Sequence, residues 1–226
     1  NFTPTRAFAK EIIFGGTPSL SRQGLGSIAT LMLNVAAGAF GDAAIAGMSI
    51  VTRISFFTYA MVIGLGQGFQ PLCGFCYGAK LYGRVKEAFF FCIKCGTVFL
   101  SVCALLGFIF STSIISIFRD DAAVVAVGSV ALRWQVLSFP LVASIVLTNM
   151  LMQTIRKPVR ANIVAAARSG LFFIPLIFIL PYFFGLLGVE MCQMWADCCS
   201  FAVAVPIAWS AFRDMRREQM ELGKSH

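Results

Sequence analysis

The sequence is poor in the residues that soluble enzymes use for chemistry. It contains a single histidine, His226 at its last position, and only 12% of its residues are charged. One terminal histidine excludes Ser-His-Asp and Cys-His catalytic sets and histidine-based metal sites. The segment 64–68 is rich in glycine, but it lacks the preceding strand and the spacing of a dinucleotide-binding loop, and no Walker sequence is present. We therefore predict that the chain is not an enzyme and binds no cofactor.

Apolar residues are what the sequence has in abundance. They make up 58% of its 226 residues, and the mean hydropathy is +0.83. A soluble domain carries about a quarter charged residues, so this composition predicts an integral membrane protein. At roughly 20 residues per span, the length allows about six transmembrane helices. The apolar runs that supply them cover 20–41, 43–77, 88–110, 124–152, 163–184 and 187–212. We predict an all-α, polytopic helical bundle of six spans at 20–213, followed by a cytoplasmic tail at 214–226.

The lysines and arginines cluster on one side of this span map. That side holds 15 of the 18, namely Arg6, Lys10, Arg22, Lys80, Arg84, Lys86, Lys94, Arg156, Lys157, Arg160, Arg168, Arg213, Arg216, Arg217 and Lys224. By the positive-inside rule, both ends of the chain are predicted to be cytoplasmic. The net charge of +8 then reflects membrane topology and contact with anionic lipid, and we predict no nucleic-acid partner.

Polar and helix-breaking residues close the second apolar run. The segment 64–79 reads GLGQGFQPLCGFCYGA, which can be written GxGxGxQPxxGxxYGA. Amides and interrupted helices at membrane depth require a water-filled lumen or a partner helix, because lipid cannot satisfy their polar groups. The segment therefore predicts a substrate pathway. Its structural residues are predicted to be Gly64, Gly68, Pro71, Gly74 and Gly78, with Gly64 and Gly68 permitting close helix packing.

This motif resembles the cytoplasmic end of the second helix in each half of the multidrug and toxic compound extrusion (MATE) transporters, which are cation-coupled antiporters. Residues 1–19 resemble the cytoplasmic connection between the two halves of such proteins, with Pro18 at the start of the seventh helix. The resemblance implies the C-terminal half of a twelve-helix protein of the cell membrane, whose partner is an N-terminal six-helix half. It also implies export of amphipathic, often cationic, organic compounds by alternating access, in exchange for Na⁺ or H⁺.

The polar residues of the first span indicate which branch of this family the chain resembles. Members resembling NorM carry acids in the seventh and tenth helices, whereas this chain has Gln23, Ser27 and Asn34 in the first span and no acid between Val124 and Gln153. That pattern resembles the branch of DinF and MepA. The resemblance implies that the coupling carboxylate lies in the first helix of the N-terminal half.

Several polar residues share helical stripes and are candidates for the wall of a substrate cavity. Gln23, Ser27 and Asn34 lie at spacings of four and seven, and two further amides lie four apart in the fourth span. Hydrogen bonding between helices is the alternative interpretation. The full candidate set is Gln23, Ser27, Asn34, Tyr59, Gln67, Gln70, Asn149 and Gln153.

Charged residues inside spans are costly unless paired or hydrated, and Arg53 and Asp197 are the main candidates for a pair. Counting along the helices puts Arg53 and Asp197 at similar depths, so we predict that they pair. The pair would either lock the second and sixth spans together or act in gating or coupling. The alternative is that Arg53 extends to the outer interface.

The eight cysteines include Cys73-x-x-Cys76 and Cys92-x-x-Cys95, which satisfy a zinc-ribbon spacing. Both pairs fall in apolar helix ends, so we predict small apolar fillers and no metal site. Three other functions remain open: a flippase of the same superfamily for lipid-linked saccharides, a membrane metalloenzyme that uses the cysteines, and a non-transporting assembly subunit.

Overall fold

Helices form all the regular structure in residues 6–224, which are the residues described by the computed structural model of the protein. In chain order they are α1 (Arg6–Gly38), α2 (Asp42–Gly78), α3 (Tyr82–Ile109), α4 (Ser111–Phe118), α5 (Ala122–Thr154), α6 (Pro158–Ala166), a π-helical turn (Ala167–Leu171), α7 (Phe173–Phe184) and α8 (Leu186–Lys224). No strand occurs in this range, so the predicted all-α fold is confirmed.

Five of the predicted six spans are long and apolar enough to cross a membrane. They are α2, α3, α5, the composite α6–α7 segment Pro158–Phe184, and α8. The first helix has 33 residues, and among the described residues it is not one of these five. The count of six is therefore not confirmed, and a sixth crossing by α1 stays a prediction. This helix begins at Arg6, within the segment 1–19 for which a connection between halves was predicted.

Helix α5 is the centre of the bundle and contacts α2, α3, α4, α6 and α8. Glycines allow the closest approaches. A Cβ at Gly47 of α2 would lie 3.1 Å from the backbone nitrogen of Gly128 in α5, and a Cβ at Gly66 would meet the sulfur of Met150. Such contacts bring the two backbones together because no side chain separates them.

The predicted role of Gly64 and Gly68 in helix packing is wrong within the described helices. A Cβ at either position would have no neighbour within 4 Å, whereas Gly66 between them faces α5. Two residues along an α-helix correspond to a rotation of about 200°, so Gly64 and Gly68 face away from the side that packs.

The start of the fifth span lies further toward the N-terminus than predicted. Lys157-Pro158 opens α6, with proline at the first helical position, where its missing N–H costs nothing. Arg168 therefore lies ten residues, roughly 15 Å, into a helix instead of in a cytoplasmic connection.

Candidate functional site

Asp197 of α8 is fully buried, with 0% of its surface exposed, and it is held by three helices. Its Oδ1 accepts hydrogen bonds from Nε of Arg168 at 2.7 Å and from Nε2 of Gln193 at 3.1 Å. Its Oδ2 accepts a hydrogen bond from Oγ of Ser138 in α5 at 2.8 Å. A buried carboxylate is tolerated only with such partners, and here one of them is a cation.

Tyr59 extends this arrangement to α2. The guanidinium carbon of Arg168 lies 4.6 Å from the centre of the Tyr59 ring, which is cation–π geometry. The Tyr59 hydroxyl accepts a hydrogen bond from Nε2 of Gln135 at 2.9 Å, and the edge of its ring packs against Phe139 with centroids 5.2 Å apart. We call Tyr59, Gln135, Ser138, Arg168, Gln193 and Asp197 the central polar network.

The π-helical turn positions the cation of this network. Arg168 is its second residue, and the turn links α6 to α7 beside α8. Single π turns within helices occur frequently at functional sites, because they aim a side chain that regular geometry would direct elsewhere. The network is neutral as a unit, so a proton or cation that reached Asp197 would compete directly with Arg168.

The predicted pair of Arg53 and Asp197 is wrong. Asp197 pairs with Arg168, while Arg53 is exposed on α2 and forms no salt bridge with any side chain in the part of the chain that the structure describes. The estimated depths were compatible with a pair, but depth along a helix does not determine which side of it a residue occupies. Recognising Pro158 as a helix start would have put Arg168 at the right depth, whereas no comparable signal indicated Gln135, Ser138 or Gln193.

Apart from Tyr59, which is buried in the central polar network, the candidate cavity residues of α1 and α2 lie on open faces of the bundle. Gln23, Ser27 and Gln67 are exposed, and Asn34 and Gln70 are half-buried. The Ser27 hydroxyl donates to the Gln23 carbonyl at 3.1 Å. In α2 the motif residues on this face are Gly64, Gln67, Gly68, Pro71, Leu72, Gly74, Phe75 and Gly78, all of them exposed. We call this set the open face of α2.

Asn149 and Gln153 are engaged locally, away from this face. Asn149 donates through Nδ2 to the Ala161 carbonyl at 2.7 Å and accepts from Nε2 of Gln153 at 2.6 Å. These bonds connect the end of α5 to α6, as expected for hydrogen bonding between helices. A role for these two amides in a substrate cavity stays a prediction.

The two cysteine pairs do not converge on a site. Cys73, Cys76 and Cys92 are buried, Cys95 is exposed, and all eight cysteines are free. Within the described residues, no group of three or more His, Cys, Asp or Glu side chains is close enough to hold a metal ion.

The chain resembles known multidrug exporters over most of its length. It is 27% identical over 207 residues to the multidrug export protein MepA of Staphylococcus saprophyticus, a match that covers 91% of this chain and 45% of that protein. The identity to MepA of Staphylococcus aureus is 28%, with the same two coverages. The chain thus spans about half the length of the curated relatives it matches.

Solved structures show the same fold. An outward-facing multidrug resistance MATE family transporter of the MOP superfamily superimposes with a TM-score of 0.87 at 20% identity, covering 96% of this chain and 49% of that one. The bent form of the Vibrio cholerae MATE transporter VcmN gives a TM-score of 0.86 at 18% identity, covering 94% and 48%.

The family model described as MatE matches residues 18–179, which is more than half of the chain. This match confirms the family that was predicted from the resemblance of the motif GxGxGxQPxxGxxYGA. The chain belongs to the MatE family, the multidrug and toxic compound extrusion transporters.

Proposed function

We propose that the chain is the C-terminal lobe of a cation-coupled antiporter that exports amphipathic organic compounds, often cations, in exchange for Na⁺ or H⁺. Its partner is the other six-helix half of the same protein. The complete transporter lies in the cell membrane, and both ends of this chain are cytoplasmic. The named activity of the MepA relatives and the half-length coverage of their sequences support this proposal.

The open face of α2 is the observation that carries the proposal. Gln67 is exposed there, and the helix backbone beside Gly64 and Gly68 has open space where a side chain would lie. Hydrocarbon would leave the amide and the Pro71 interruption without partners. This face therefore lines a water-filled cavity between the two halves, and the exposed polar stripe of α1, which packs beside α2, continues its wall.

The central polar network is the candidate for coupling within this lobe. Tyr59 belongs to the same helix as Gln67 and lies eight residues, roughly 12 Å, away from it. A proton or Na⁺ at Asp197 would weaken its bond to Arg168, and Arg168 would then shift against the Tyr59 ring. The open face of α2 would respond because Tyr59 is part of the same helix. Alternating access needs an element of this kind, whose two positions are biased by the ion.

The flippase alternative is not favoured. A cavity for lipid-linked saccharides, which carry phosphate, would be expected to contain several cations. The open face of α2 contains none, and the relatives reported above are named as drug exporters.

The first test concerns transport by the open face of α2. We expect Gln67→Ala in the complete transporter to reduce drug efflux by about tenfold or more, because a lost polar contact to substrate costs on the order of 1.4 kcal/mol. Pro71→Ala should also reduce efflux, because alanine restores a backbone N–H and removes the interruption of the helix hydrogen bonds. Cys95→Ser, an exposed position on α3 outside this face, is the matched control and should retain efflux. Wild-type drug resistance in Gln67→Ala, at equal expression, would remove the open face from the transport pathway.

The second test concerns topology. Arg84 near the start of α3 and Asp120 before α5 are both exposed and lie on opposite sides of the predicted membrane. In a background without native cysteines, a membrane-impermeant thiol reagent should label Asp120→Cys in intact cells and Arg84→Cys only after permeabilisation. Labelling of Arg84→Cys in intact cells would reverse the orientation.

A further inference from the structure

Glu190, near the start of α8, is a second carboxyl group buried within this lobe. Only 5% of its surface is exposed. The turn around it is buried on every side, because residues 188–192 are all buried. Gly188 of this turn lies directly against the Leu180 carbonyl of α7. The burial of Glu190 is therefore produced by helices of the same lobe, and the other half of the protein is not needed for it.

Glu190 has no cation of its own among the described residues. It belongs to none of their three salt bridges. The arginines of α5 and of the π-helical turn, which both contact α8, are engaged elsewhere, since Arg133 donates to Ser111 and Arg168 pairs with Asp197. A buried carboxyl group without a counter-charge is costly when it is ionised and far less so when it holds a proton, because the ion loses much more hydration.

The other helices that contact α8 bring no charge to Glu190. After Arg22 the sequence of α1 contains no ionisable side chain, and the one ionisable side chain of α7, Tyr182, is 84% exposed. Helices α3 and α6 bond to α8 at its other end, at Glu218 and Asp214. The proton on this carboxyl group thus has no neighbouring cation to compete with.

Glu190 lies on the same side of α8 as Asp197. Seven residues are close to two helical turns, so the two carboxyl groups are roughly 10 Å apart along the helix. Gln193 lies between them, one turn from each, and its Nε2 donates to Oδ1 of Asp197 at 3.1 Å. The other ionisable group of this stretch is the buried thiol of Cys192. Glu190 is five residues from Gly185, which joins α7 to α8 at the predicted outer end. The two acids therefore follow one another from that end toward the middle of the helix.

We propose that Glu190 is the outer proton-binding residue of this lobe, from which the coupling proton reaches Asp197. This inference rests on the proposed coupling role of Asp197. A proton from outside neutralises the Glu190 carboxylate. When the proton moves on to Asp197, Glu190 becomes an anion again, and Asp197 loses the charge that holds Arg168. The amide of Gln193 places a polar group in the gap, and water can complete the hydrogen-bonded chain.

The donor set favours a proton over a metal cation. Cations such as Mg²⁺ and Ca²⁺ take six or more oxygen ligands. Within the described ranges, no group of three or more His, Cys, Asp or Glu side chains lies close enough together to supply them. A proton needs one carboxyl group alone, and Glu190 provides it.

Glu190→Gln is the main test variant, because glutamine has the shape of the protonated acid but does not take up a proton. Glu221→Gln makes the same change at an exposed position of the same helix and is the matched control. Infrared spectra of the complete protein in detergent distinguish carboxylic acids from carboxylates, and exposed carboxyl groups are ionised at about pH 7. At that pH we expect a carboxylic-acid band that is weaker in Glu190→Gln and unchanged in Glu221→Gln. Glu190→Asp should keep the band at a shifted position, and it decides the question if Glu190→Gln does not fold.

Efflux from proteoliposomes is the second measurement. Under a pH gradient, Glu190→Gln should slow efflux by about tenfold or more, because a positioned acid or base contributes on the order of a hundredfold or more to a proton transfer. Glu190→Asp should recover much of the rate, and Glu221→Gln should match wild type. The unfolding temperature of Glu190→Gln should stay close to that of wild type, whereas the loss of a merely structural glutamate would lower it.

The inference is overturned if Glu190→Gln leaves the carboxylic-acid band unchanged, or if it transports under a pH gradient as fast as wild type. It is also overturned if a Na⁺ gradient drives efflux by wild type and a pH gradient does not, a result that leaves the proposed antiport intact. If neither gradient drives efflux, the proposed function fails by itself. The infrared band requires no transport, and it still decides whether Glu190 holds a proton.

Discussion

Replacing Asp197 with asparagine should destabilise the protein strongly. The change keeps the shape of the side chain but removes the charge of a carboxylate that is 0% exposed. The Arg168 guanidinium, which pairs with that carboxylate, is then left without its counter-ion. Removing one partner of a buried ion pair costs about 3–5 kcal/mol, because the remaining charge stays desolvated. Arg168→Gln should cost a similar amount of stability, because it leaves the buried Asp197 carboxylate without its cation. Thermal unfolding of the complete protein in detergent measures both effects.

Asp214→Asn is the control for this experiment. It makes the same chemical change on the same helix, at a half-exposed carboxylate that pairs with Lys157 at 2.6 Å and Arg160 at 3.1 Å. Solvent-accessible pairs of this kind contribute about 0–1 kcal/mol, so its effect should be several times smaller. Equal losses for Asp197→Asn and Asp214→Asn would show that the central pair is not a desolvated one.

The double variant Arg168→Gln/Asp197→Asn separates stability from coupling. With two neutral amides, it should recover most of the stability lost in either single variant, giving a large coupling energy in the double-mutant cycle. Purely additive losses would mean that the two residues act independently. If the double variant is stable but does not transport, the pair takes part in coupling; if it transports normally, coupling lies wholly in the other half of the protein.

Gly47→Val should be the most damaging apolar substitution on α2. A Cβ at this position would lie 3.1 Å from the Gly128 nitrogen and 3.4 Å from the Val124 carbonyl oxygen, and both are backbone atoms that cannot rotate away. The two helices would have to separate, and overpacking of this kind costs about 1–3 kcal/mol. The expected result is a clear drop in the unfolding temperature in detergent.

Gly64→Val is the matched comparison on the same helix. Nothing lies within 4 Å of a Cβ at that position, so its effect on stability should stay within about 0.5 kcal/mol. Because Gly64 belongs to the open face of α2, the variant is expected to impair transport more than stability. A Gly64→Val protein that unfolds as readily as Gly47→Val would show that the open face packs tightly in the complete protein.

The helix ends show how far apolar runs can predict structure. The predicted second run, 43–77, agrees with α2, which runs from Asp42 to Gly78. The third helix, however, begins at Tyr82, whereas the predicted apolar run begins at residue 88. The run starts later because the first turns of the helix carry charged residues such as Arg84 and Lys86 and project beyond the apolar core. An apolar run indicates only the part of a helix that contacts hydrocarbon. The helix itself extends as far as its backbone hydrogen bonds continue, which includes polar turns outside that part.

Composition and motif were sufficient to predict a helical membrane protein and its family. Few charges and long apolar runs indicate a membrane environment, because a soluble domain carries about a quarter charged residues, roughly twice the 12% found here. The segment 64–79 indicated the family because its motif, GxGxGxQPxxGxxYGA, resembles that of the MATE transporters. Both conclusions depend on the order of residues along the chain alone.

Only the tertiary structure decided which charges meet. Arg53 and Arg168 were both available to Asp197 from the sequence, and the rotation of α2, the π-helical turn and the position of α8 together select Arg168 at 2.7 Å. An ion pair requires a separation below about 4 Å between atoms of different helices. That distance depends on how each helix is rotated about its axis and packed against its neighbours, which hydrophobic periodicity alone leaves undetermined.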